Sequence, residues 1–282
     1  MDLSLIRPII QSALREDIGR GDITSQAIAP SSLTGKACII AEEEGILAGI
    51  EVAKEVFRLT SGEKVEFMSE LKDKDSLTGG LPVLILQTSA LAILKGERVA
   101  LNFLGRLSGI ATLTREYVDL ASPFGVKILD TRKTTPNLRV LEKYAVKTGG
   151  GLNHRFGLDS GILIKDNHIR ICGSLKKAVE RIRQAIPPFW KIEVEADGLS
   201  EVKEAVELGV EAIMLDNMGL KEIKKAVDLI RQQAKEIIIE ASGGINLENV
   251  AEVAKSGVDL ISVGSLTKAA KNLNMHLEIM KP

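Results

Sequence analysis

The sequence predicts an α/β protein in two parts, a parallel-stranded barrel preceded by a smaller α+β module. Two observations carry this. The second half repeats one unit, a short β-branched apolar run followed by a charged turn and an amphipathic helix, and strands alternating with helices mean a parallel sheet. The first half lacks that repeat and shows short runs between glycine-rich turns, the pattern of a small sheet with its own helix. No GxGxxG opens the first helix, and the glycines at Gly149–Gly151 have the wrong spacing for a dinucleotide fingerprint, which favours a barrel over an open doubly wound sheet.

Taken in order, an amphipathic pattern near Leu3 to Arg15 predicts the first helix. The stretches GKACIIAEEEGILAG, KVEFMSEL and PVLILQTSA supply the strands of the small sheet, and Glu51 to Thr60 supplies its helix. A long helical pattern from about Ala90 to Leu120 leads into the barrel, with a break expected at Ser108 and Gly109. The barrel strands are the runs Lys127–Thr131, Gly161–Asp166, Lys191–Asp197, Ala212–Asn217, Ile237–Ser242 and Leu260–Ser265. Between them SLKKAVERIRQAI, SEVKEAVELG, LKEIKKAVDLI and NLENVAEVAKSG have apolar spacing near 3.6. The expected boundaries are 1–108 for the first module and 109–269 for the barrel, with the tail 270–282 a candidate to pack on the first module.

Composition narrows the function. Over 282 residues, 45% hydrophobic and 27% charged content is ordinary for a soluble globular chain, and 3% aromatic content speaks against a surface that stacks on bases, so no nucleic-acid partner is expected. Cys38 and Cys172 are far apart and neither belongs to a CxxC, which predicts reduced thiols rather than a disulfide or a zinc site. The N-terminus carries acids and no continuous apolar segment, and no later stretch is long enough to span a bilayer, so a cytoplasmic protein is expected. The net charge of -1 hides an uneven distribution: Lys127 to Arg170 holds five more basic than acidic residues, which suits a polyanionic substrate.

In such barrels the chemistry sits where the strands end. The residues there are Asp130, Arg132 and Lys133; Lys165 and Asp166; Glu193, Glu195 and Asp197; Asp216 and Asn217; Glu240 and Ser242; and Gly264 and Ser265. Unpaired buried charge costs several kcal/mol, so charge at every strand end is a sign of function. Ser242, Gly243 and Gly244 before a helix expected near Asn246, and Val263, Gly264 and Ser265 before one at about Leu266, form a phosphate signal, because glycine lets backbone N–H groups approach an anion. Glu195 and Asp216 on neighbouring strands could hold Mg²⁺, directly or through water, and salt bridges to nearby lysines are the alternative.

These residues also carry a resemblance. DTRKTTPNLRVLEKYAVKTGGGLNHRFGLDSGILIKDNHI, from Asp130 to Ile169, together with EDIGRGDITS, ERVALNFLGRLSGIAT, IEVEADGL, LDNM, EASGGI and VGSLT, resembles the quinolinate phosphoribosyltransferases in order through nearly the whole chain. The resemblance implies an open seven-stranded α/β barrel joined to an N-terminal α/β sandwich. It also implies decarboxylating transfer from phosphoribosyl pyrophosphate to quinolinate in NAD biosynthesis, with Mg²⁺. It places Arg132, His154, Arg155 and Lys165 around the pyridine dicarboxylate, and Arg98 in the pocket of a neighbouring subunit of a homodimer or of a trimer of such dimers. Lys133 and Lys165 fall near ribose and pyrophosphate, Glu195 and Asp216 near ribose and metal, and Ser242, Gly243, Gly244 and Gly264 at the 5′-phosphate. One departure is Asn137, where the TxPG form has glycine; asparagine tolerates positive φ, so the turn is expected to survive.

Three other readings stand beside this one. They are a related molybdenum-operon pyrophosphorylase-like transferase, a Schiff-base aldolase using Lys165, and an inactive barrel that binds a phosphorylated ligand. Release of CO₂, borohydride trapping and turnover itself separate them.

Overall fold

The computed structural model describes residues 2–30, 32–62 and 65–280; Lys64 in the third run of the first half, and Lys281 and Pro282 of the tail, lie outside them. The chain divides into two compact units, one of Met1–Arg115, Thr134–Gly150 and Leu266–Pro282, the other of Glu116–Lys133 and Gly151–Ser265. Among the described residues no helix is long and apolar enough to cross a membrane.

In the first unit, α1 (Leu3–Ile18) is capped by the Asp2 carboxylate, which accepts the Ser4 N–H, and it buries Ile6, Ile10 and Leu14 at a spacing of one turn. It packs on α3 (Ile50–Ser61), and the short α2 (Ile23–Ile28) is capped in the same way by Asp22. Strands β1 (Thr34–Ala41), β3 (Glu66–Met68), β5 (Pro82–Ser89) and β12 (Met275–Ile279) form an antiparallel sheet in the order β12-β1-β5-β3. A second, two-stranded sheet pairs β2 (Gly45–Ile46) with β4 (Ser76–Leu77).

The long helix α4 (Ala90–Ala121) is continuous, without the break expected at Ser108 and Gly109. Tertiary contacts explain both residues. The Ser108 hydroxyl accepts the Ala48 N–H at 3.0 Å and donates to the Ala48 carbonyl, so it does not compete for its own helix. A Cβ on Gly109 would lie 1.9 Å from the Lys271 carbonyl oxygen; glycine is there because the C-terminal segment crosses the helix at that point. The helix α5 (Arg139–Thr148) completes the unit. Before it, Asn137 adopts φ +64°, as its residue type allowed.

The second unit holds the repeated half, and all six apolar runs form strands: β6 (Lys127–Leu129), β7 (Ile162–Ile164), β8 (Ile192–Ala196), β9 (Ala212–Asp216), β10 (Ile238–Ser242) and β11 (Leu260–Ser262). Every pairing is parallel, in the order β6-β11-β10-β9-β8-β7. Beyond β6, Leu152 adds one parallel rung, donating its N–H to the Ile128 carbonyl at 2.8 Å and accepting the Asp130 N–H at 3.1 Å. The helices are α6 (Asp166–Cys172), α7 (Leu175–Ala185), α8 (Leu199–Glu207), α9 (Leu220–Gln233), α10 (Val250–Ala254) and α11 (Ser265–Lys268), the last crossing into the first unit's residues. Their buried stripes, such as Ile223, Ala226, Val227 and Ile230 on α9, have the 3–4 spacing that faces a core. The helix expected near Asn246 begins only at Val250. The Asn246 side chain accepts the N–H groups of Glu248 and Asn249 and caps the turn that leads into it.

Candidate active site

The charged ends of the strands meet in one cavity of about 490 Å³ in the second unit. Arg132 and Lys133 enter it after β6, His154 and Arg155 after the Leu152 rung, Lys165 after β7, Glu195 from β8, Asp216 from β9 and Ser242 from β10. A parallel sheet sends all of its carboxyl ends the same way, which is why residues spread over more than a hundred positions line one space.

On one side of the cavity stand the cations. The Arg155 guanidinium donates to the Gly161 carbonyl at 3.1 Å. Burial, and then the like charge of Arg132 beside it, lower Arg155 from its ordinary value. Glu193 offsets part of that repulsion, and a ligand with two carboxylates would offset more.

On the other side stand the acids. Glu195 accepts a charged hydrogen bond from Lys165, and oxygens of Glu195, Asp197 and Asp216 lie within 4.8 Å of one another. Asp197 was read only as a strand-end charge; it makes the pair a trio. Three carboxylates with no sulfur or imidazole among them form a hard oxygen donor set, the kind that suits Mg²⁺. Asp216 Oδ2 also accepts from Asn217 Nδ2 at 2.6 Å. Asn217 itself sits at φ +55° and donates its N–H to the Ser242 carbonyl at 2.9 Å. A Cβ on Gly243 would fall 2.2 Å from Asn217 Oδ1, so the glycine there leaves room for this side chain.

The phosphate candidates separate. Ser242 lines the main cavity, whereas Gly243 and Gly244, at φ +84° and +65°, line a neighbouring one of about 250 Å³ with Asn217 and Gly219. Gly264 faces Lys133, whose Cδ would lie 3.3 Å from an added Cβ. The Ser265 hydroxyl is 3.3 Å from that of Tyr117. Val263 is buried and donates its N–H to the Leu129 carbonyl at 2.9 Å, so it offers an anion no amide. Arg98 is exposed on α4 in the first unit, and among the described residues no ion pair engages it.

Beneath the cavity lies an arrangement that the strand-end reading did not assemble. His154 Nε2 is 3.1 Å from Glu193 Oε2 and 3.7 Å from Glu240 Oε2. Burial disfavours charge on the ring, but the hydrogen bond to Glu193 and the charges of both acids outweigh it and hold His154 above the usual imidazole range. In the neutral ring, the Arg155 N–H that points at Nδ1 at 2.7 Å sets the tautomer, with the proton on Nε2 toward Glu193. The available signal was the alternation in IEVEA, which turns Glu193 and Glu195 to the same face.

Comparison with known proteins now adds to this geometry. Residues 110–278 match the family described as quinolinate phosphoribosyl transferase, C-terminal domain, and residues 22–108 match its N-terminal domain. The chain is 43% identical over 277 residues, 98% of its own length and 93% of the relative's, to a probable nicotinate-nucleotide pyrophosphorylase [carboxylating] of Synechocystis sp.. It is 44% identical over 274 residues, 97% of its length and 93% of the relative's, to a protein of the same description from Bacillus subtilis. Among solved structures, NadC from Streptococcus pyogenes superposes with a TM-score of 0.93 at 42% identity, covering 100% of this chain and 99% of that one.

Proposed function

The chain belongs to the quinolinate phosphoribosyltransferase family, and from that premise we propose how its own residues carry the reaction. The family reaction joins quinolinate to phosphoribosyl pyrophosphate and yields nicotinate mononucleotide, pyrophosphate and CO₂, a step of NAD biosynthesis. The observation that carries the assignment of roles is the division of one cavity into a guanidinium pair and a trio of carboxylates.

Arg132 and Arg155 grip the two adjacent carboxylates of quinolinate, because planar forks hold carboxylates in fixed orientation. The pyridine nitrogen then donates its lone pair to C1 of the ribose, and the C1–O bond breaks with its electrons leaving on pyrophosphate. Glu195 and Asp216 stabilise the positive charge that builds on the sugar, and Lys133 and Lys165 stabilise the negative charge that builds on the leaving group. Glu195, Asp197 and Asp216 would hold Mg²⁺, which when bound offsets pyrophosphate charge. Lys165 forms an ion pair with Glu195, which ties it to the acid trio. Once the ring nitrogen is quaternary, the bond to the 2-carboxylate breaks, CO₂ leaves, and the electron pair left on the ring carbon takes a proton. Ser242 and the Gly243–Gly244 turn receive the 5′-phosphate, with Gly264 and Ser265 on its other side.

Arg98 completes the site of a second copy in a homodimer, which its exposure on α4 and its lack of an ion-pair partner among the described residues support. The test is an assay of CO₂ release from quinolinate and phosphoribosyl pyrophosphate with and without Mg²⁺, on wild type and on mixed variants. Arg98→Ala and Lys165→Ala proteins, each inactive, should recover about a quarter of wild-type activity after subunit exchange, because half of the dimers are mixed and each has one intact site of two. No recovery after demonstrated exchange rejects the shared site, and Mg²⁺-independent turnover rejects the metal.

A further inference from the structure

Loss of CO₂ leaves an electron pair on the ring carbon that carried the carboxylate, and that carbon has to take a proton. A proton is held directly beneath the cavity. Glu240, in β10, is 1% exposed; burial, and then the charge of Glu193, push its carboxyl up to about 8, so it is protonated at neutral pH. Ser262, in β11, is 3% exposed and lines the main cavity. The two strands are parallel neighbours, with Glu240 opposite Leu260 and Ser242 opposite Ser262, so Glu240 and Ser262 stand diagonally on one face with the serine nearer the strand ends. The Ser262 hydroxyl draws the Glu240 carboxyl down against burial, which puts it beside that group, yet neither Glu240 Oε1 nor Ser262 Oγ closes a hydrogen bond among the described residues. His154, which the resemblance places at the dicarboxylate, has Nε2 3.7 Å from Glu240 Oε2, so the buried acid lies behind the end of the cavity that receives the carboxylates.

We propose that Ser262 is a catalytic residue that gives a proton to the ring carbon as CO₂ leaves, and that Glu240 acts through it by returning a proton to the serine. This deepens the functional reading above and rests on it. The bond to the 2-carboxylate breaks, its electrons stay on the ring carbon, and that pair takes the proton of the Ser262 hydroxyl. The serine oxygen takes the proton of Glu240, and the Glu240 carboxylate regains one from water after the product leaves. In the structure Ser262 Oγ is turned away from water, and rotation about the Cα–Cβ bond, from one staggered position to the next, carries it between the carboxyl and the cavity. Once ionised, Glu240 faces Glu193 and His154, and the raised His154 ring is the group that can answer the new negative charge.

The experiment follows pyrophosphate and nicotinate mononucleotide separately through a single turnover with Mg²⁺, for wild type, Glu240→Gln, Ser262→Ala and Ser262→Thr. In Glu240→Gln and Ser262→Ala, pyrophosphate should form at the wild-type rate while nicotinate mononucleotide lags by on the order of a hundredfold, the contribution usual for a general acid. The transferred but still carboxylated nucleotide should accumulate, because CO₂ beside an unprotonated ring carbon adds back. Ser262→Thr keeps a hydroxyl and should recover most of the rate. The wild-type rate of the second step should fall with rising pH at or above about 8, where Glu240 gives up its proton, and Glu240→Gln should lose that limb. A role in packing alone would slow both products together, and that result in Ser262→Ala overturns the proposal. So does an unchanged second step in Ser262→Ala and Glu240→Gln, which would make water the donor. If Glu240→Gln does not fold, Ser262→Ala, which removes a single oxygen, decides alone. Wild-type protein that forms no pyrophosphate from the two substrates sinks the functional reading, and the relay with it.

Discussion

Each unit of the molecule buries a glutamate beyond the reach of water, and the two are handled in opposite ways. Glu142 in the first unit is fully buried and takes four hydrogen bonds: from Arg106 at 2.7 and 3.2 Å, and from the backbone and hydroxyl of Thr135 at 2.9 and 2.8 Å. Arg106 passes its remaining donors to the carbonyls of Thr267 and Ala270. That acid is balanced, and its work is to hold a loop. Glu240 in the second unit is as deeply buried, but its ionisable neighbours are an imidazole and another carboxylate. A buried acid with a full set of donors belongs to the scaffold; a buried acid set against another acid is tolerated only because a working site needs the arrangement.

Replacing each by glutamine breaks the comparison most directly. Glu142→Gln strands the Arg106 guanidinium beside an amide, and losing one member of a buried pair costs about 3 to 5 kcal/mol, read as a fall in denaturant midpoint. Glu240→Gln should cost far less, and its advantage over wild type should grow with pH. The sign follows from linkage: an acid raised to about 8 in the folded chain, against 4.5 for the ordinary group, favours the folded state fully only below the ordinary value. Its contribution is lost as pH rises toward 8 and levels off above. Melting curves of wild type and Glu240→Gln should therefore converge near about pH 4 and separate by about pH 8, with the variant the more stable. Parallel curves across that range would erase the distinction between the two glutamates.

The sequence made the strands legible because each is a local pattern. Six β-branched runs became six parallel strands, and charges at the ends of four of them, Arg132 and Lys133, Lys165, Glu195 and Asp216, line one cavity. What could not be read locally depended on partners far away in the chain. Ser108 and Gly109 have the composition of a helix break, but Ala48 takes up the hydroxyl and the Lys271 carbonyl demands the glycine. Glu193 and Glu240 each sat at a strand end with no assigned role, and only the strand order β10-β9-β8 brings them together across one intervening strand. Asn246 reads as a helix start and caps the turn that leads into α10: its side chain accepts the N–H groups of Glu248 and Asn249, and its carbonyl accepts the N–H of Val250.

The charges that face the cavity sharpen the same contrast, since they should matter to turnover and hardly at all to folding. Arg132→Ala and Arg155→Ala each remove a contact to a substrate carboxylate, worth about 1.5 to 3 kcal/mol or roughly ten- to a few-hundredfold in kcat/KM for quinolinate. The phosphoribosyl pyrophosphate KM should change little. Thermal stability should hold or rise, because either change relieves the repulsion between the two guanidinium groups. A variant that lost stability in proportion to activity would place these arginines with Glu142, among the groups that build the fold.

The smallest effect separates backbone from side chain at one position. Asn217 holds φ +55° and binds Asp216 Oδ2 through its amide at 2.6 Å, so it contributes both a left-handed backbone and an oriented carboxylate. Alanine removes the amide and keeps a Cβ in a region that costs such residues about 1 kcal/mol; glycine removes the amide and is at ease there. The difference in stability between Asn217→Ala and Asn217→Gly should thus be about 1 kcal/mol in favour of glycine, and it reports the backbone alone. Both lose the bond to Asp216, so both should lose kcat to the same degree, on the order of tenfold for a group that orients another. If glycine restores kcat while alanine does not, the turn positions Asp216 and the amide is incidental. Equal loss in two variants of unequal stability assigns the effect to the amide, because the fold has then been measured separately from the chemistry it supports.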